Sequence, residues 1–372
     1  MTPALPQAPV GPYDAILLTG FGGPERAEDV MPFLRNVTRG RGVPEERLEA
    51  VAEHYLAFGG LSPINEQNRA LKAALEAELA RRDIQLPVYW GNRNWHPYLR
   101  DAITAAAEAG DTRLIAVTTS AYSSYSSCRQ YREDIGIALT ETGLDGRLEV
   151  DKVRQYFDHP GFVTPFIEGV RNAYAEFAQR GIGPDRVHVL FSTHSIPTDD
   201  SERSGPREID FGPGGAYAAQ HLAVARVVMD AQEHPGIWEL VYQSRSGAPS
   251  MPWLEPDIND AIAALDTEKV DGVVIVPLGF VSDHMEVLWD LDTEAVQAAR
   301  ERGLEVIRIA TPGIHRAFVA GLVDLVLERL GGIPDEDRPA LTNLGPWYDV
   351  CRPACCENIR AGFKPAVAGV AP

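Results

Sequence analysis

The 372-residue chain is 45% hydrophobic with a formal net charge of −19, enough apolar material for two compact lobes, each with its own core. So acidic a composition excludes nucleic acid and anionic lipid headgroups as partners, since both need a basic surface. It is compatible with a cation as substrate.

The N-terminal Met-Thr-Pro-Ala-Leu-Pro-Gln-Ala-Pro lacks the basic start and apolar stretch of a signal peptide, and residues 1–12 read as a flexible N-terminus. Short β-branched runs then alternate with amphipathic helical stretches. Strands are expected at Ala15–Thr19, Pro87–Trp90, Leu114–Thr119 and Leu148–Val153, with helices over Asn68–Arg81 and Tyr98–Ala109 among them. The chain divides near Tyr156–Gly161, giving a first lobe over 13–160 and a second over 161–312. The helix Phe162–Arg180 opens the second lobe, and strands follow at Val187–Ser192, Leu240–Gln243, Val273–Pro277 and Val306–Ile309. A closing helix, Gly313–Leu330, lies in segment 313–332, and 333–372 forms a tail holding three of the four cysteines.

Helices between strands imply parallel β-α-β units, hence an α/β protein with two doubly wound lobes. No repeat of fixed period is present. The longest apolar run, around Val273–Val281, is interrupted by Pro277 and Gly279 and falls short of the roughly 20 residues that span a bilayer. The protein is therefore expected to be soluble and cytoplasmic, with no transmembrane segment. Its cysteines would sit in a reducing compartment, where metal binding or catalysis outweighs structural disulfides.

Ligands of doubly wound sheets bind beyond the carboxyl ends of the strands, so polar clusters following strands were read for chemistry. Thr19-Gly20-Phe21-Gly22-Gly23-Pro24 resembles a dinucleotide loop, but G-x-G-x-x-G from Gly20 would need glycine at Glu25, and Pro24 interrupts the turn. A glycine turn admitting a flat ligand, or a plain tight turn, fits better. In Leu190-Phe191-Ser192-Thr193-His194-Ser195, His194 stands at a strand end, as a proton acceptor or metal ligand or as a histidine bonded into the strand. In Gly279-Phe280-Val281-Ser282-Asp283-His284-Met285-Glu286, Ser282 or Asp283 is expected to cap a helix. Glu286, Asp290 and Glu294 then fall at i, i+4 and i+8 on one face, a path for a hydrated divalent cation or a solvated acidic face. Gly212-Pro213-Gly214-Gly215 lacks the lysine of a phosphate loop and reads as an ordinary loop. Cys128, Cys351, Cys355 and Cys356 form no C-x-x-C pair, which disfavours a zinc knuckle. Their number matches a [2Fe–2S] cluster, but spacing alone favours unligated thiols.

Taken together, these stretches resemble the ferrochelatase family over about residues 13 to 330. The resemblance is carried by Gly20 to Pro24, Phe58-Gly59-Gly60-Leu61-Ser62-Pro63-Ile64, Leu190 to Pro197, Tyr242-Gln243-Ser244-Arg245, Met251-Pro252-Trp253-Leu254-Glu255-Pro256, and Pro277 to Glu294. It implies two Rossmann-like lobes with a porphyrin cleft between them, and insertion of ferrous iron, the substrate metal, into a porphyrin. His194 and Glu286 match the pair described as the iron site, and Asp290 and Glu294 the acidic ridge that supplies the metal. Ser62 and Tyr131 match positions that hold propionates, assisted by Tyr55 and Arg39. Phe21, in the same porphyrin-binding group, stands where many relatives carry a tyrosine able to ligate iron, so that contact is lost. His54 replaces an arginine for a propionate, so substrate anchoring differs. The loop Asp199 to Ala216 is longer than the family pattern.

The tail resembles actinobacterial members, which implies a [2Fe–2S] cluster on Cys128, Cys351, Cys355 and Cys356, and coproporphyrin III rather than protoporphyrin IX as substrate. Expected partners are small molecules, with haem-pathway enzymes as transient ones. Two rivals are a chelatase for another tetrapyrrole, which tends to bring paired histidines where this chain has a single His194, and a haem-binding carrier, which needs no acidic ridge.

Overall fold

The structure, a computed structural model, describes residues 12–40, 42–246, 250–357 and 364–369; apart from Pro12, the N-terminal segment 1–12 lies outside them. Each expected strand forms: β1 (Ala15–Gly20), β2 (Val88–Asn92), β3 (Arg113–Thr118), β4 (Glu149–Lys152), β5 (Val187–His194), β6 (Ile237–Gln243), β7 (Gly272–Val276) and β8 (Glu305–Arg308). The helices are α1 (Ala27–Val37), α2 (Glu45–Ala57), α3 (Ile64–Arg81), α4 (Leu99–Glu108), α5 (Gln130–Thr142), α6 (Pro160–Gln179), α7 (Thr198–Glu202), α8 (Gly215–Asp230), α9 (Ile258–Ala264), α10 (Val296–Glu301) and α11 (Arg316–Gly331). Two stretches, Tyr125–Arg129 and Val287–Ala295, take the wider π form.

β1, β5 and β7 are buried along nearly their whole length, as strands covered on both faces must be. All pairing between the eight strands is parallel, in two four-stranded sheets ordered β2-β1-β3-β4 and β6-β5-β7-β8. In each sheet the first strand is flanked by the second and the third, so strand order reverses beside β1 and beside β5. The expected end of β5 at Ser192 is corrected: the ladder with β6 continues to His194, opposite Gln243.

One buried core runs through both halves, joining Ile16 and Leu18 of the first sheet to Val189 and Phe191 of the second through α6 and α11. Arg82, at the end of α3, bonds Asp324 at 2.5 Å and the Ala320 carbonyl at 3.2 Å, tying α11 to the first lobe. Beneath that contact the fully buried Arg154 donates to Asp158 at 2.5 Å and to Glu328 of α11 at 2.8 Å. His159 caps α6, its Nδ1 accepting from Gly161 N at 3.1 Å. Among the described residues, no helix is long and apolar enough to cross a membrane.

Candidate functional site

The carboxyl ends of β1 and β5 face a common cleft, and the residues singled out in the sequence gather there unevenly. His194 ends β5 with its side chain 33% exposed, and its Nε2 lies 3.5 Å from Glu286 Oε2. Its Nδ1 is bonded to the Ser195 carbonyl. A carbonyl only accepts, so Nδ1 carries a proton, and in the neutral ring Nε2 then presents a lone pair toward a carboxylate. Two electron-rich atoms that close attract whatever is positive between them, a proton or a metal cation. Bonds of about 2.1 Å to one divalent first-row ion would set two such donors roughly 3–4 Å apart.

The close approach of β5 to the loop after β7 depends on Gly279, where a Cβ would lie 2.1 Å from Thr193 Oγ1. The helix that follows departs from expectation twice. Neither Ser282 nor Asp283 caps it: Glu286 N donates to His284 Nδ1 at 3.2 Å, while Asp283 bonds Arg308 and Thr311 at 3.2 and 3.1 Å. Val287–Ala295 is also a π-helix rather than an α-helix. Four residues overshoot an α-turn of 3.6 but fall short of a turn with i→i+5 bonds, so the row Glu286, Asp290, Glu294 leans the other way around its helix. Elsewhere on that helix, Asp292 pairs with Arg308 at 2.6 Å.

The expectation of a single histidine is corrected as well. His284 Nδ1 stands 3.9 Å from Glu286 Oε2, so two imidazoles flank one carboxylate. Burial holds His284 below the ordinary histidine range. Among the described residues no set of three or more His, Cys, Asp or Glu is arranged to hold a metal ion.

Asp290 accepts from Ser244 Oγ and, at 3.3 Å, from Gln243 Nε2. Burial pushes its carboxyl up to about 7, with Glu286 and Glu294 adding in the same direction against the Ser244 bond. Ser244 is held in the left-handed region at φ 61°, strain of the kind that accumulates at functional sites. Gln243, missed in the sequence, is the hub: its amide accepts from Ser192 Oγ at 2.8 Å and donates to the Glu286 carbonyl at 3.0 Å. It thereby joins the strand of His194 to the helix of Glu286. Glu294 is exposed and accepts from Trp289 Nε1 at 2.9 Å.

Across the cleft stands α2. His54 stacks on Trp289, rings 4.0 Å apart and 6° from parallel, and burial lowers its basicity. Tyr55 packs edge-on against Phe33; burial raises its phenol, helped by the negative charge of Glu286. Phe21 is 36% exposed beside the same cluster. Arg93, also missed in the sequence, connects two of the expected porphyrin residues: its guanidinium lies 5.7 Å from the Phe21 ring and 4.5 Å from that of Tyr131. Tyr131 is buried, Ser62 is buried against Gly23, and Arg39 is exposed just past α1.

Away from the cleft, all four cysteines converge. Cys128, in the π turn before α5, meets Cys351, Cys355 and Cys356 in one buried cluster with Tyr348 against it. The Cys355 and Cys356 sulfurs are 3.8 Å apart, and Tyr348 Oη is 3.0 Å from Cys355 Sγ. The tail reaches there from α11 past Asp158, whose carbonyl accepts from Leu341 N at 2.8 Å. Beyond the cysteines, Val367 and Ala368 lie between them and α5, Ala368 O accepting from Cys351 N at 3.1 Å and Val367 O from Arg132 Nε at 2.7 Å. Hydrogen bonds from Cys128 and Cys355 hold the Cys351 thiol well below its ordinary range, with Arg132 and Lys152 adding to that shift.

Known proteins resemble this chain over most of its length. The family model described as Ferrochelatase matches residues 13–330. The coproporphyrin III ferrochelatase of Leifsonia xyli subsp. xyli is 67% identical over 369 residues, 97% of this chain and 95% of that protein. The coproporphyrin III ferrochelatase of Streptomyces griseus subsp. griseus is 53% identical over 371 residues, 96% of each. Among solved structures, the sirohydrochlorin chelatase of Bacillus subtilis subspecies spizizenii in complex with cobalt superposes with a TM-score of 0.49 at 12% identity, over 88% of this chain and 98% of that one.

Proposed function

This chain belongs to the ferrochelatase family, and from that premise we propose that it inserts ferrous iron into coproporphyrin III, releasing two protons, in the cytoplasm. The observation that carries the reading is the facing pair His194 Nε2 and Glu286 Oε2, 3.5 Å apart, with the imidazole proton committed to the Ser195 carbonyl.

His194 Nε2 accepts the pyrrole protons one at a time, giving the first to water before it takes the second, and Glu286 replaces water on the entering iron. Asp290 and Glu294 feed the metal inward. An Asp290 carboxyl near 7 also takes up or gives up a proton at neutral pH, which suits a route carrying cations one way and protons the other. Phe21, Tyr55, Ser62, Tyr131 and Arg39 border the macrocycle, with residues 13–160 and 161–312 as the two walls and 313–332 as the helix that joins them. Remote contacts along those walls hold the ring bent. Haem-pathway enzymes would be transient partners that take the product.

We propose further that Cys128, Cys351, Cys355 and Cys356 hold a [2Fe–2S] cluster. They share one buried cluster, although among the described residues no three of them are arranged around a metal ion, so binding would have to draw the thiols together. Two sulfurs 3.8 Å apart suit one tetrahedral metal with bonds of about 2.3 Å, and the buried cations Arg132 and Lys152 lie where a negative cluster needs them. When bound, the cluster supplies iron–thiolate bonds that clasp the tail to the first lobe. Iron and acid-labile sulfide analysis of anaerobically purified protein tests this, expecting two of each per chain; zinc, or four titratable thiols without metal, overturns it.

For the reaction, the test is anaerobic incubation with ferrous iron and either coproporphyrin III or protoporphyrin IX, followed by the Soret band. Faster metallation of coproporphyrin III is expected. Preference for protoporphyrin IX corrects the substrate, and binding without metallation makes the protein a carrier.

A further inference from the structure

Because the His194 ring is bonded through Nδ1 to the next carbonyl, its direction follows the backbone at 194–195. That backbone is held from two sides. Ser195 N donates to Gln243 O at 2.8 Å. On the other side, Tyr217, the third residue of α8, donates through its hydroxyl to the His194 carbonyl at 2.9 Å. The same oxygen is 2.7 Å from Thr193 Oγ1; its one proton being spent on His194, it accepts from Thr193.

Tyr217 is itself firmly seated. It is 3% exposed, its ring lies edge-on to His221 at 4.5 Å, and its carbonyl is bonded to His221 Nδ1 at 2.7 Å. Its amide donates at 2.8 Å to Ser204 Oγ, which donates at 2.5 Å to Ser201 O. One residue further, Gly205 N meets Cys356 Sγ at 3.2 Å. The loop from Asp199 to Ala216 thus ties the strand end of His194 to the thiol cluster.

We infer that Tyr217 is a positioning residue: its hydroxyl sets the aim of the His194 imidazole, and Ser204 sets Tyr217. The inference rests on the reading of His194 as proton acceptor. Removing one hydroxyl leaves the ring packing in place but frees the His194 peptide to turn. Small misplacements of a reacting group cost up to about a hundredfold in rate.

The test is steady-state metallation by Tyr217→Phe. We expect kcat to fall about tenfold, in the range such misplacement produces, with KM for iron and porphyrin unchanged. In the substrate-free protein the His194 imidazole NMR signal, assigned by its absence in His194→Ala, should shift. Tyr13→Phe is the control: it loses a comparable bond, to Asp151 at 2.8 Å, at the opposite end of β1, and should keep its kcat. Ser204→Ala should reproduce the loss, and the double variant should lose no more than the weaker single one. Wild-type kcat and an unmoved His194 signal in folded Tyr217→Phe overturn the inference, as does a multiplicative loss in the double variant. If Tyr217→Phe does not fold, Ser204→Ala decides by the same two readings. Full turnover in His194→Ala overturns the underlying reading, whereas loss there beside normal Tyr217→Phe overturns this inference alone.

Discussion

The two sheets have the same strand order and opposite duties. β2-β1-β3-β4 and β6-β5-β7-β8 each place their first strand beside the point where the order reverses. β1 ends in Gly20-Phe21-Gly22, a flat and partly aromatic edge, with Asn65, Asn68 and Asn92 buried beneath it. β5 ends in His194, with Gln243 beside it and Glu286 facing it. Topology therefore supplied two equivalent crevices, and side chains divided the labour. On the proposed reading the first half offers a surface for a planar ring and a clasp for the tail; the second offers ionisable groups. Such asymmetry suits a reaction in which one partner must be held flat while the other is stripped of water.

The sharpest way to break the comparison is at the chemical side. His194→Ala should cut turnover by about 10²–10⁴-fold, and Glu286→Gln comparably, while porphyrin binding, followed by fluorescence quenching, survives. A folded His194→Ala enzyme with more than a tenth of wild-type turnover would remove the second sheet's claim to the chemistry.

Next in size is the joint between the halves. Glu328→Ala leaves the fully buried Arg154 with Asp158 as its one remaining carboxylate. Breaking such a buried pair costs about 3–5 kcal/mol, read as a lower urea midpoint. A midpoint within error of wild type would mean that the halves are held together by apolar packing alone.

A smaller effect belongs to Asp290, whose raised carboxyl lets the sign be worked out. A group with a folded-state pKa near 7, above its ordinary 3.8, contributes stability that is lost as pH rises through that window. Asp290→Asn should thus gain on wild type in melting temperature by a few degrees between pH 4 and 8, and hardly at all at pH 4. A constant difference across that range contradicts a raised pKa. Smallest of all, Glu294→Gln should raise the KM for iron a few-fold with kcat intact, because an exposed carboxylate on the outer turn feeds the site without touching the reaction. Equal loss of kcat in Glu294→Gln and Glu286→Gln would abolish the distinction between feeding and reacting groups.

Much of this was legible in the chain itself. Unbroken apolar runs such as Ala15–Leu18 and Val273–Val276 announced strands buried on both faces, and the alternation with helices announced parallel sheets. His194 and Glu286 were visible because each follows such a run, where a doubly wound sheet opens. Composition also set the sign of the surface. Other features depended on register and packing. The π form of Val287–Ala295, and the bonds that Arg308, Gln243 and Ser244 make to that helix, appear only in the folded chain. Gln243, Tyr217, His284 and Arg93 carry no signal of their own, since each matters only for what stands opposite. Cys128 meets Cys351, Cys355 and Cys356 because the chain after α11 folds back past Asp158 onto the first lobe, a path that no spacing encodes. Periodic burial is a local property and can be read locally; the direction of a hydrogen bond between distant segments exists only once the chain has closed on itself.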